Sequence, residues 1–337
     1  MSSATAIKLL DLIQSHRITI VIYVAVKLGI AELLRDGPRT LSELAKATGA
    51  HQEALGRLLS ALETVGICRR SEQDGYAVTE LGSALDGSAD QSFKAWAVFE
   101  GEMLSKSWNG MFESVMTGKT AAQILGFESS FELMSQSPEN VEKFNAAMAD
   151  LTRLVTPAIL LSYDFGNISH LMDVGGGSGE LIGAITGEYP KLFGTVFDLP
   201  RCADAANKHF ERLGVVDRTK FVAGNFFEMV PDLADAIILK SVIHDWDDAR
   251  STCILRNCRQ SLAQGGKLLL VERIMPETPD VDDEDRAHAM SDLNMLRGPG
   301  GLERSASQYR TLLEQGGFGL NAIYPAGRFN VIKARVG

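Results

Sequence analysis

The stretch HLMDVGGGSGELIGAI, His170 to Ile185, constrains the fold more than any other part of the chain. Its apolar run through Leu171 to Val174 reads as a buried strand, Gly175, Gly176, Gly177 and Gly179 as a tight loop, and the residues from Glu180 as a helix. A strand that feeds a glycine loop into a helix opens a parallel α/β sheet and puts a ligand at the strand's carboxyl end. A dinucleotide fingerprint asks for Gly-x-Gly-x-x-Gly, but the third-glycine position here is Glu180. Gly-x-Gly-x-Gly after Asp173 suits a ligand without a pyrophosphate, such as a nucleoside with an amino-acid tail.

The next segments continue the series. Beyond Gly179, TVFDLP puts Asp198 and Leu199 at the end of a second strand, where a carboxylate accepts hydrogen bonds from both ribose hydroxyls. A turn acid ahead of Pro200 is the alternative for Asp198. KFVAGNFFE then reads as a third strand that leaves an adenine near Asn225 and Phe226, with a simple turn as the other reading of Asn225. A fourth apolar run, Ala236 to Leu239, delivers Lys240, His244, Asp245, Asp247 and Asp248 to the same edge.

Ahead of the sheet, Thr40-Leu41-Ser42-Glu43 has capping-box spacing, and Leu55, Leu58, Leu59 and Leu62 recur at helical intervals up to Gly66. ICRR and YAVT, separated by a segment ending in Asp74-Gly75, read as a hairpin, so residues 1–92 spell a winged helix. Nucleic-acid binding is disfavoured: net charge is −10, Glu53 and Glu63 accompany Arg57, and Glu72 and Asp74 offset Arg69 and Arg70. The module reads as a scaffold whose apolar segment ITIVIYVAVKLGI packs on a second chain. Residues 93–160 read as a helical connector in which Trp96, Phe99, Met103, Trp108, Phe112, Met116, Phe127, Phe131, Phe144 and Met148 are mostly core. Phe99, Met103 and Met148 are expected to line a pocket for a flat apolar substrate. The apolar stretches Ile18 to Val26 and Leu268 to Val271 look too short or interrupted to span a bilayer, and the four cysteines have no metal-ligand spacing. The expectation is a cytoplasmic protein with no membrane contact and reduced thiols.

DVGGGSGEL, FDLP, AGNFF, LKSVIHDWDD, GGKLLLVERIMP and GPGGLERS, in that order behind a winged-helix front part, resemble the S-adenosylmethionine-dependent O-methyltransferases of the plant caffeate and flavonoid type and their bacterial relatives of secondary metabolism. The likeness covers nearly the whole chain. It implies an α/β fold in 161–337, a Rossmann-like, mostly parallel seven-stranded sheet, behind a winged-helix dimerisation domain. It implies S-adenosylmethionine held by Asp173, Gly175, Gly177, Gly179, Asp198, Leu199, Asn225 and Phe226, with Lys240 close to the donor. It also implies His244 as general base, Asp245 beside it, Glu272 and Glu303 flanking the ring, a homodimer, and a small aromatic hydroxylated substrate. Two departures stand out: Asn225 occupies a position usually Asp, and MLRGPGG is one residue shorter than the plant loop and lacks its Asn before Pro299.

The chemistry needs such a histidine. A phenol with a pKa of about 10 is a poor nucleophile until its proton leaves, and a neutral imidazole with a pKa of roughly 6.5 can take it. A carboxylate on the other ring nitrogen fixes the tautomer, and either Glu272 or Glu303 could supply it. A metal-dependent alternative would need clustered oxygen ligands at the acceptor. The densest acid run, VDDEDRAH, reads as a solvated loop, whereas Asp292 and Asn294 with Met290, Met295 and Arg297 read as acceptor-pocket lining, and no metal is expected. His16, His51, His170, His209 and His288 read as structural, and NAIYPAGRFNVIKARV as a closing hairpin. The rivals are a non-methylating branch of the same fold, disfavoured by the intact His244, and a winged-helix regulator.

Overall fold

The computed structural model describes residues 3–71, 74–231 and 233–337. The chain divides into two compact units, Met1–Lys106 with Glu139–Leu151, and Ser107–Pro138 with Thr152–Gly337.

In the first unit, Thr40 accepts from the Glu43 amide while the Glu43 carboxylate reaches back to the Thr40 amide, starting a helix over Leu41–Thr48 that Gly49 ends at a φ of 70°. The following helix, Gln52–Thr64, buries Leu55, Leu59 and Leu62, and the strands Cys68–Arg70 and Gly75–Val78 pair antiparallel behind it. Arg39–Thr40 adds a third strand to this wing. Glu72, one of the acids expected to offset the arginines, lies outside the described residues. His51 caps the second helix through its ring, a local role of the kind expected.

Two corrections concern apolar surface. The helices α1 (Ser3–Gln14) and α2 (His16–Lys27) follow one another closely, and the 25-residue run Ser3–Lys27, with hydropathy 1.5, is long and apolar enough by length and composition to cross a membrane. Counting only uninterrupted apolar residues missed it. Ile7, Leu9, Leu10, Leu12 and Ile13 on α1 are all at least half exposed. In the second unit, Phe112 and Met116, expected in the core, are 72% and 68% exposed, because the helix Met111–Thr117 turns that side outward.

The second unit is built on a seven-stranded sheet. Its strands are β1 (His170–Val174), β2 (Phe193–Asp198), β3 (Thr219–Ala223), β4 (Ala234–Lys240), β5 (Leu262–Glu272), β6 (Phe318–Ala326) and β7 (Phe329–Val336). They lie in the order β6-β7-β5-β4-β1-β2-β3, parallel except where β7 pairs with β5 and β6. Leu171, Met172 and Val174 on β1 and Ile237 to Leu239 on β4 are fully buried, as expected of strands covered on both faces. The order reverses between β1 and β4, and at such a switch point the carboxyl ends of neighbouring strands diverge to leave a ligand crevice. The closing hairpin turns at Gly327, φ 64°.

A short parallel pair, Ile274–Met275 with Arg304–Ser305, brings the end of β5 alongside the segment that follows the Gly298–Gly301 loop. The acid run is not a solvated loop. Asp282 accepts from the Asp285 amide and starts α3 (Asp283–Arg297), and three acids in its first turn complement the positive end of the helix dipole.

Candidate active site

The loop after β1 has positive φ at Gly175 (76°), Gly177 (56°) and Gly179 (76°), a backbone only glycine adopts readily. Gly177 donates its amide to Asp198 Oδ2 at 2.8 Å, and Leu199 donates to Asp198 Oδ1 at 2.6 Å. The carboxylate, which the Cys202 thiol also contacts, is thereby fixed at the end of β2, where a carboxylate can accept from a ribose hydroxyl. A Cβ at Gly177 would meet nothing within 4 Å, so the loop borders open space, whereas one at Gly176 would strike the Asp173 carboxyl. Asp173 is buried, and burial pushes its carboxyl up to about 7 against the pull of Lys240. Lys240 is pushed down to about 8, first by burial and against the pull of Glu272 and Asp173. Two acids around a glycine loop suit the hydroxyls and ammonium of a nucleoside with an amino-acid tail, and repel a pyrophosphate.

Asn225 closes a turn: its Oδ1 accepts from the Phe227 amide at 3.0 Å and its Nδ2 donates to Glu228 at 3.0 Å. The Phe226 ring edge would lie 3.8 Å from a Cβ on Gly175, so the aromatic side chain borders the glycine loop. Phe226 and Phe227 stand edge-on to Trp246, whose buried Nε1 has no hydrogen-bond partner.

The base candidate sits on a short turn beyond β4. Ser241 takes a φ of 53°, an uncommon left-handed conformation for a serine, and the chain then forms a single 3₁₀ turn over Ile243–Asp245. Glu272 Oε1, at the end of β5, accepts from the Val242 and Ile243 amides at 3.1 and 2.9 Å and caps this turn. His244 is buried; its Nδ1 lies 3.1 Å from Glu303 Oε1 and 3.6 Å from Glu272 Oε2, and its Nε2 lies 3.6 Å from Asp245 Oδ1. Only the Glu303 contact is a hydrogen bond. The choice left open between the two glutamates resolves on geometry: Glu303 is bonded to the ring, while Glu272 holds the backbone.

Electrostatics separate the two acids further. Burial alone would push His244 down, but Glu272, Glu303 and the Glu303 hydrogen bond outweigh it and raise the ring to about 9. Burial raises Glu303 as well, yet His244, Ser291 and Arg273 bring it below its ordinary value; for Glu272 burial wins and its carboxyl is raised. Burial pushes Asp245 up to about 7. The imidazole assumed neutral from sequence is therefore held as imidazolium around neutral pH, with Glu303 as its ionised partner. The ligand atoms of His244, Glu272 and Glu303 lie within 4.8 Å of one another, a set that could also hold a cation. The hydrogen bonds just described engage Oε1 of each glutamate and leave both Oε2 atoms buried without a hydrogen-bond partner.

Of the residues that hold Glu303, sequence reasoning missed Ser291 and Arg273 and gave Asp292 to the acceptor pocket. Ser291 donates to Glu303 Oε1 at 2.7 Å and accepts from Arg273 Nη1 at 3.1 Å, and Asp292 Oδ1 accepts the Glu303 amide at 2.9 Å. Of the expected acceptor-pocket residues, Met295 is buried, Asn294 is half-buried and Met290 is 47% exposed. Arg297 reaches Ser107 and Ser114 instead of an open pocket. Phe99, Met103 and Met148 belong to the first unit, where Phe99 packs edge-on against Phe144.

Comparison with known proteins adds to this geometry. An O-methyltransferase domain family matches residues 108–319, and an O-methyltransferase dimerisation domain family matches residues 10–87. The chain is 37% identical to a phenazine O-methyltransferase of Lysobacter antibioticus over 97% of its own length and 95% of the relative's. It is 32% identical to the aclacinomycin 10-hydroxylase of Streptomyces purpurascens over 88% and 80% of the two chains. Among solved structures it resembles an O-methyltransferase from neocarzinostatin biosynthesis in complex with S-adenosylmethionine and 2-hydroxy-5-methyl naphthoic acid, with a TM-score of 0.77, 31% identity, and 95% and 96% of the two chains covered.

Proposed function

From the premise that the chain belongs to the S-adenosylmethionine-dependent O-methyltransferases, we propose that it methylates a hydroxyl of a small aromatic metabolite with His244 as general base. The observation that carries this reading is the buried His244–Glu303 hydrogen bond at 3.1 Å, on the turn just beyond the strand that pairs with β1, which feeds the glycine loop. Gly175, Gly177, Gly179, Asp173, Asn225 and Phe226 would hold the donor and Asp198 would accept from its ribose hydroxyls, with Leu199 fixing Asp198 and Lys240 balancing Asp173. When bound, S-adenosylmethionine supplies a methyl group on a sulfonium, a leaving group that needs no acid.

The protein's task is then to align the acceptor oxygen and take its proton. Glu303 holds the ring proton on Nδ1, which leaves the Nε2 lone pair for the acceptor hydroxyl. A base near 9 lies close to a phenol near 10, so proton transfer is nearly balanced once the ring is neutral. As the proton arrives, Glu303 and Glu272 stabilise the imidazolium. Met290, Asn294 and Met295 are the side chains we assign to the acceptor, and no resident metal enters the step.

We read the active form as a homodimer in the cytoplasm that contacts neither nucleic acid nor membrane. The exposed apolar side of α1 overlaps the dimerisation-domain match and is covered by a second copy. The hydroxylase relative favours one other reading, a bound donor that only shapes the pocket. His244→Ala separates them: calorimetry should show S-adenosylmethionine binding unchanged, while turnover falls by about 10²-fold or more. Full turnover in that variant removes the general-base assignment.

A further inference from the structure

Arg304 is 1% exposed, and the structure uses each of its guanidinium nitrogens on the segment around His244. Nη1 donates to the Ile243 carbonyl at 3.1 Å and Nη2 to the Trp246 carbonyl at 2.8 Å, the two residues that bracket His244 and Asp245. Nε and Nη2 both donate to Asp248 Oδ1, at 3.0 and 2.8 Å, which supplies the counter-charge a buried guanidinium requires. Ser251 Oγ donates to the same two carbonyls at 3.2 and 3.3 Å. A rigid planar fork can span two carbonyls one turn apart; a lysine ammonium cannot.

The residues ahead of Arg304 act on the same turn. A Cβ at Gly301 would overlap the His244 carbonyl and the backbone of Asp245 and Trp246, so the chain there lies flat against the base's own main chain. Glu303 follows and bonds the ring. One four-residue segment therefore meets the base turn by backbone contact, by the ring hydrogen bond and by the carbonyls on either side.

We propose that Arg304 is a positioning residue for methyl transfer: by gripping the Ile243 and Trp246 carbonyls it keeps the His244 ring in register with Glu303 and with the acceptor oxygen. This rests on His244 being the general base. A small displacement of a reacting group is enough to cost about 10²-fold in rate, so a loosened turn should be visible in kcat.

The test uses the full chain with saturating S-adenosylmethionine, an acceptor found by methyl labelling, and the variants Arg304→Lys, Arg304→Gln, Asp248→Asn and His244→Ala. Arg304→Gln should lower kcat by about tenfold or more, with Arg304→Lys between it and the wild type and KM for the donor within about twofold. NMR titration of the histidine rings should show the His244 inflection falling in Arg304→Gln by about one pH unit, as the ring leaves Glu303. Loss of a merely structural contact would lower thermal stability and leave that inflection in place. Asp248 is an exposed partner (side chain 68% exposed), so Asp248→Asn carries the test if the Arg304 variants do not fold, with kcat falling several-fold and the His244 inflection shifted the same way. Folded Arg304 variants with wild-type kcat and an unmoved inflection overturn the proposal, as does an unaltered Asp248→Asn when they do not fold. If His244→Ala itself keeps turnover, the base reading fails, and the ring titration alone then decides whether Arg304 positions the ring.

Discussion

Glu303→Gln keeps the shape of the side chain and removes its charge, so it isolates what the carboxylate does to His244. The rise of the ring from an ordinary 6.5 to about 9 corresponds to about 3 kcal/mol in favour of the imidazolium. Against the opposing effect of burial, Glu272, Glu303 and Asp245 all contribute to that rise, and Glu303, at 3.1 Å against 3.6 Å for the other two, acts both by its charge and by its hydrogen bond. Giving it about half of the total, on the order of 1 to 2 kcal/mol, the variant's ring should titrate near 8, about one pH unit lower. Because the base must be neutral, kcat/KM should rise with pH through about 9 in the wild type and through about 8 in the variant. The variant's alkaline plateau should be about tenfold lower, since an amide stabilises the imidazolium less than a carboxylate does. At pH 7 the neutral fraction is about 1% in the wild type and about 10% in the variant, which offsets most of that loss. Initial rates of labelled methyl incorporation across this range should converge near neutrality and separate in alkali. Parallel profiles with an unmoved inflection would refute the pairing.

Three further outcomes follow from the geometry. Gly177→Ala forces a side chain into a left-handed backbone at a cost of about 1 to 2 kcal/mol and points it into the open space beside the loop, so calorimetry should show donor affinity lower by about tenfold or more; unchanged affinity would remove the loop from the donor site. Asn225→Asp keeps the turn bond to Phe227 but sets a carboxylate against Glu228, so donor affinity should change several-fold while turnover at saturating donor stays the same; a large fall in saturated turnover contradicts a role confined to adenosine. Leu10→Asp puts a charge on the exposed apolar face of α1 and should turn a dimer into a monomer by light scattering; a monomeric wild type would refute the interface.

The strand-end positions of Gly177, Asp198 and Lys240 were legible because they are local: each follows an apolar run that announces its strand, and the glycine spacing favoured a ligand without a pyrophosphate. The acceptor half depends on residues far apart in the chain. Glu303 meets His244 across 59 positions and Arg304 meets Ile243 across 61, brought together by the short pairing of Ile274–Met275 with Arg304–Ser305. Nothing in the composition of either segment marks that pairing. The neutral imidazole expected from sequence gave way for the same reason, since burial beside two glutamates is a property of the packed site. Acids at 282–285 read as solvated loop because charge was weighed without capping, and Phe112 and Met116 read as core because large side chains were weighed without the face they occupy.

The central claim is tested most directly by incubating the protein with methyl-labelled S-adenosylmethionine and a panel of phenols, quinols and polyketide hydroxyls, with mass spectrometry of the products. The wild-type protein should give a labelled methyl ether, with a loss of about 10²-fold or more in His244→Ala. A donor that binds with no label reaching any hydroxyl, accompanied by unlabelled mass changes in the same acceptors, would contradict it.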